Sequence, residues 1–153
     1  MSILQIELSE LEKAIKHSDK LASNVSSSNV AWHIDHSLKV IHNVSMVIIA
    51  SDPSKYKWKF NKWRFIIFIK GSFPRGKVTA PKHVRPPEII KLEDLKSQLK
   101  EVQKNLSVIE KLPSKSHFEH PIFGQLHLKK TIRFLELHTT HHIKIINDIL
   151  KAL

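Results

Sequence analysis

The sequence predicts an all-α fold, a four-helix bundle with one long crossover connection, on three observations. Apolar residues recur at alternating three- and four-residue steps through four long segments of the 153-residue chain. Glycine occurs only three times, too rarely for a fold of many tight hairpins. Four of the seven prolines fall between residues 71 and 87, so the helical pattern has one long interruption.

Taken in order, the first segment carries the stripe Leu4, Leu8, Leu11, Ile15 and Ala22, and fades into a Ser/Asn run over 23–29 that is rich in helix N-cap residues. The second spans about Val30 to Ala50, with Val30, His33, Ser37, Val40, Val44 and Val47 on its expected inner face. Ser51-Asp52-Pro53 then opens a shorter helix, expected over about 54–70, with Tyr56, Phe60, Trp63 and Ile67 packed and the lysines solvated. It forms an extra helix within the crossover, which continues as an ordered, irregular stretch over 71–87. The third long helix, about 92–112, has the seam Leu95, Leu99, Val102, Leu106 and Ile109. After a break from Pro113 to Gly124, a last helix over about 126–152 presents Thr131, Leu135, His138, His142, Ile145 and Ile149. A single domain covers 1–153, a length that buries a core without staples.

Composition excludes several classes. The absence of cysteine removes disulfide scaffolds, thiolate metal sites and cysteine nucleophiles. The first twelve residues carry three Glu and no signal-peptide pattern, and no apolar run is long enough to span a bilayer, so the expected location is cytoplasmic. Two features remain to be explained, a net charge of +11 and eleven histidines.

Three histidines stand where a bundle should be apolar: His33 on the second helix, and His138 and His142 on the last. An unpartnered buried imidazole costs about 1–3 kcal/mol per unmet group. A divalent metal relieves that cost, because it takes neutral ring nitrogens, and histidines four apart on a helix point the same way. His33, His138 and His142 are therefore the expected metal ligands, with an open coordination position on Zn2+ or Ni2+. His36 falls on a mostly polar stripe with Asn29, Trp32, Lys39 and Asn43 and is assigned to the rim. His141 borders the seam and is open to either a ligand or a supporting role. His36, His120 and His141 are the candidate proton carriers.

The segments Val30-Ala-Trp-His-Ile-Asp-His-Ser-Leu, Pro74-Arg-Gly-Lys, His120-Pro-Ile-Phe-Gly and His138-Thr-Thr-His-His together resemble the DinB-like superfamily of metal-binding four-helix bundles, which includes the bacillithiol-transferase type. Within it, the chain is most similar to the branch with a His-Pro-x-Phe-Gly turn before the last helix. The resemblance covers almost the whole chain. It implies a divalent metal held by one histidine of the second helix and two histidines four apart on the last, positions that match His33, His138 and His142. It also implies that the His120 turn closes over the site. Activities in the superfamily include thiol S-transfer with a metal-activated low-molecular-weight thiol, thiol-dependent isomerisation and metal-dependent hydrolysis. The basic start of the last helix, Lys129-Lys130-Thr131, departs from the aromatic expected there.

The expected function is thus that of a divalent-metal-binding protein acting on a small molecule, as a thiol S-transferase or a hydrolase. A transferase would borrow its sulfur, since the chain has none of its own in cysteine. A hydrolase would need a general base, and no H-E-x-x-H arrangement is present. The alternative is a non-enzymatic basic helical protein that binds an anionic ligand or nucleic acid. Arg75 and Lys77 are candidates for holding an anionic cosubstrate. The interleaved lysines and aromatics from Lys55 to Arg64 also admit nucleic acid, ranked last, or a membrane surface. A homodimer in which the histidines simply pack is the remaining interaction reading.

Overall fold

The computed structural model describes residues 3–75 and 82–153. Its described residues are mostly helical, with five α-helices and one small antiparallel sheet. The order is α1 (Gln5–Ala14), α2 (Val30–Ile49), α3 (Lys62–Lys70), α4 (Leu92–Ile109), the hairpin strands β1 (His117–His120) and β2 (Gly124–His127), and α5 (Leu128–Lys151). Among the described residues no helix is long and apolar enough to cross a membrane.

α2 is the central element, packed chiefly against α4 and α5, while α1 lies against α5. Asn29 starts α2 by accepting the Trp32 N–H at 2.9 Å, as the Ser/Asn run predicts. Serving two neighbours widens the buried arc of α2. Ile34, Leu38, Ile41, Ser45 and Ile48 are fully enclosed, and Val47, expected inside, is half exposed. The α4 seam is buried as expected at Leu95, Leu99, Val102, Leu106 and Ile109. On α5, Thr131 is enclosed, and its hydroxyl donates to the Leu126 carbonyl at 2.8 Å, which removes the cost of burying it.

Two departures from the sequence expectation matter. Where a purely helical chain is expected, Phe118 pairs with Leu126 and His120 with Gly124 in a hairpin. One of the three glycines sits at the position that needs it, Gly124 at φ 67°. Second, the helix expected over 54–70 begins only at Lys62. Asp52 caps a single turn, Pro53–Lys55, and Asn61 caps α3 by accepting the Arg64 N–H at 2.9 Å. Between them the alternation Lys55-Tyr-Lys-Trp-Lys-Phe60 has a period of two, which suits an open backbone better than a helix. This stretch is fixed to the hairpin. Lys57 N–H donates to Gln125 Oε1 at 2.8 Å, Asn61 Nδ2 to the Ile122 carbonyl at 2.9 Å, and Arg64 to the Phe123 and Gln125 carbonyls. Phe60 and Trp63, expected to pack, are exposed.

Candidate metal centre

The helices bring four imidazoles of α2 and α5 together. Ligand atoms of His36, His138 and His142 all lie within 4.8 Å of one another. Their ring centroids are separated by 5.2 Å for His36 and His138, 4.8 Å for His36 and His142, and 4.7 Å for His138 and His142. A tetrahedral ion with bonds of about 2.0–2.1 Å would set its nitrogens about 3.3 Å apart, so these three rings would have to draw closer together to hold one ion.

The member from α2 is His36, not the expected His33. His36 is almost fully buried, which corrects its assignment to the rim. The crossover does this. The short turn Lys82–Val84 folds over α2, and His36 Nδ1 donates to the Val84 carbonyl at 2.8 Å. The Trp32 ring stacks on the imidazole at 5.0 Å. Donation from Nδ1 leaves Nε2 as the lone-pair nitrogen, the usual arrangement of a histidine whose other nitrogen binds a metal.

His33 stands one ring behind. Its Nδ1 lies 3.0 Å from His142 Nδ1 and its Nε2 lies 3.0 Å from Ser26 Oγ, so both nitrogens are engaged. If His142 Nδ1–H donates to His33, then His33 Nε2–H donates to Ser26, and His142 keeps Nε2 free. The reverse polarity would leave His142 Nε2 protonated. Ser37 takes no part, since its hydroxyl donates back to the His33 carbonyl at 2.8 Å. His138 Nδ1 is buried without a hydrogen-bond partner, an orphaned polar atom inside the cluster.

The electrostatics suit a cation. Burial drives His138 and His142 well below the ordinary imidazole range, and neighbouring rings add to the effect. Burial also lowers His36, against the opposing influence of the Val84 bond and Asp35, and lowers His33 to about 4. At neutral pH the rings are therefore uncharged and ready to act as ligands. Asp35, a buried carboxylate that lies on no stripe read for α2, pairs with Lys39 at 2.6 Å and accepts from Gln98 of α4 at 2.8 Å. It fixes α2 next to the site.

The other expected residues lie around this group. His141 is half-buried, 5.2 Å from His142 and edge-on to Phe73 at 6.1 Å, outside the three-histidine set. His120 stacks on Phe123 at 4.4 Å and meets Phe134 edge-on at 4.9 Å, while Phe134 contacts His138. Its Nδ1 accepts the N–H groups of Ile122 and Phe123, so it holds the hairpin turn, and burial lowers it to about 4. Arg75 forms an ion pair with Asp148 at 2.7 Å. Lys77 lies outside the described residues. A groove of about 540 Å³ between Ser18, Asn29, Pro86 and Ile90 is lined by Trp32, which also stacks on His36. Comparison with family models, curated proteins and solved structures found no match to the chain.

Proposed function

We propose that the protein binds one divalent metal ion, Zn2+ or Ni2+, through His36, His138 and His142, and uses it as a thiol S-transferase of the DinB-like type on a crossover four-helix bundle. The observation that carries the metal is the orphaned Nδ1 of His138 inside a group whose ligand atoms lie within 4.8 Å. The His36 bond to Val84 and the Ser26–His33–His142 chain support it, because each fixes a ligand ring from behind.

Three neutral ligands leave the charge of the ion uncompensated, so an anionic fourth ligand is favoured. A bound metal supplies acidity there, lowering the pKa of a coordinated thiol or water. The surroundings favour the thiol. Trp32, Phe73 and Phe134 give the cluster aromatic walls, and no carboxylate belongs to the three-residue set. His141, half-buried at the edge, is the side chain best placed to pass a proton to solvent. Hydrolysis is the second reading, resting on His141 as base.

The test is direct. Untagged protein is stripped of metal and reloaded with Co2+, and a low-molecular-weight thiol is added. A one-to-one metal stoichiometry and a new sulfur-to-cobalt charge-transfer band are expected. Metal uptake without the band favours the hydrolase, and no uptake removes the metal centre altogether.

A further inference from the structure

The +11 charge is concentrated in one place. Residues 53–87 hold ten Lys and Arg and no acidic residue, leaving fifteen basic against fourteen acidic residues elsewhere. Within this run the described stretch from Lys55 to Lys70 also displays large apolar side chains. Trp58 and Phe60 are 68% exposed, Trp63 61%, Phe65 57% and Ile69 70%. On α3, Ile67 and Phe68 turn inward against the core. Trp63, Phe65, Ile66 and Ile69 share the outer arc with Lys62 and Lys70. Among the described residues no ion pair engages Lys57, Lys59, Lys62 or Lys70. The hydrogen bonds to the hairpin hold the stretch in place, so the apolar side chains face solvent from an anchored backbone.

We propose that this face is a docking surface for an anionic lipid bilayer. A patch of this kind on a monomer marks an interaction site. Tryptophan and phenylalanine flanked by lysine match the chemistry of the headgroup region, where the rings enter the interface and the ammonium groups meet lipid phosphates. Single-stranded nucleic acid fits less well. It would use the aromatic rings for stacking, but Ile66 and Ile69 have no π-face to offer. A second copy fits less well again, because a two-fold contact would set the lysines of one patch against those of the other.

The experiment uses the full chain with vesicles of phosphatidylcholine alone or with about a third phosphatidylserine. Expected are co-sedimentation with the anionic vesicles only, a blue shift of tryptophan emission, and weakening with added salt. The triple variant Lys57→Gln, Lys59→Gln, Lys62→Gln should lose about a hundredfold in partitioning, at about fivefold per charge. Trp63→Ser with Ile69→Ser, at exposed positions, should keep the helical circular dichroism and lose the blue shift. The proposal is overturned if the wild type stays in the supernatant with anionic vesicles, or if the Trp63/Ile69 variant binds as the wild type does. It is equally overturned if an oligothymidine binds and vesicles do not, or if sedimentation shows a dimer that the same variant dissociates.

Discussion

Replacing His33 by alanine separates a ligand from a residue that holds one. In the structure His33 accepts or donates at His142 Nδ1 across 3.0 Å and is itself tied to Ser26. Removing it frees the His142 ring without removing any of the three clustered histidines. Loss of such a supporting bond typically weakens metal binding about 10–100-fold, or about 1.4–2.7 kcal/mol. At a free metal concentration of about 100 Kd, the wild type gains about 2.7 kcal/mol, or about 5–11 °C in Tm. A variant weakened about 30-fold gains only about 0.9 kcal/mol at the same concentration, about 2–4 °C. Titration calorimetry on the metal-free protein, with thermal scans at fixed free Zn2+, measures both quantities. His33→Ala should retain one ion per chain with reduced affinity, and His36→Ala should lose stoichiometric binding. The assignment fails if His33→Ala abolishes binding while His36→Ala leaves it intact.

Other expectations follow from the same packing and charges. The buried histidines have folded pKa values below the unfolded value of about 6.5, so their contribution is full above that pH and is lost as pH falls towards about 4, where His33 and His120 take up protons. Urea unfolding of the metal-free protein should therefore show stability falling through this window, on the order of 3 kcal/mol from His33 alone, and a flat profile from pH 7 to 5 would contradict it. Leu99→Ala in the enclosed α4 seam should cost about 2–5 kcal/mol in chemical unfolding, whereas the exposed Trp63→Ser should change stability by no more than about 0.5 kcal/mol. Gly124→Ala meets no atom within 4 Å but forces an L-residue to φ 67°, so it should cost about 1 kcal/mol with the metal affinity retained, as thermal scans and calorimetry would show.

The sequence made the helices legible wherever each packs along one stripe. Leu95 to Ile109 and Thr131 to Ile149 read correctly because a 3–4 spacing is the direct imprint of a single buried face. α2 is less legible, since a helix enclosed from two sides has no single stripe, and the stripe that places Val47 inside does not describe it. The same limit hid His36. Its burial comes from Val84 and the irregular crossover, which leave no periodic trace on the helix that they cover. His138 and His142 were legible from their i, i+4 spacing on one seam. The α3 region misled because Tyr56, Phe60, Trp63 and Ile67 mimic a helical stripe across a stretch whose first half alternates with period two. The hairpin is not legible because four-residue strands carry too few residues to establish a period, and the scarcity of glycine points away from any turn of this kind.

The bond between His36 and Val84 has a kinetic consequence. It closes 48 residues of chain, and the contact from His33 to His142 closes 109, so the complete cluster is among the last things a folding chain can assemble. His138 and His142 are, by contrast, a local pair available as soon as one turn of α5 forms. An excess of metal present during refolding would find this pair, with His141 beside it, before His36 arrives. Refolding in excess Zn2+ should then be slower than refolding followed by metal addition, because the ion must be released from a premature partner set before the crossover can close.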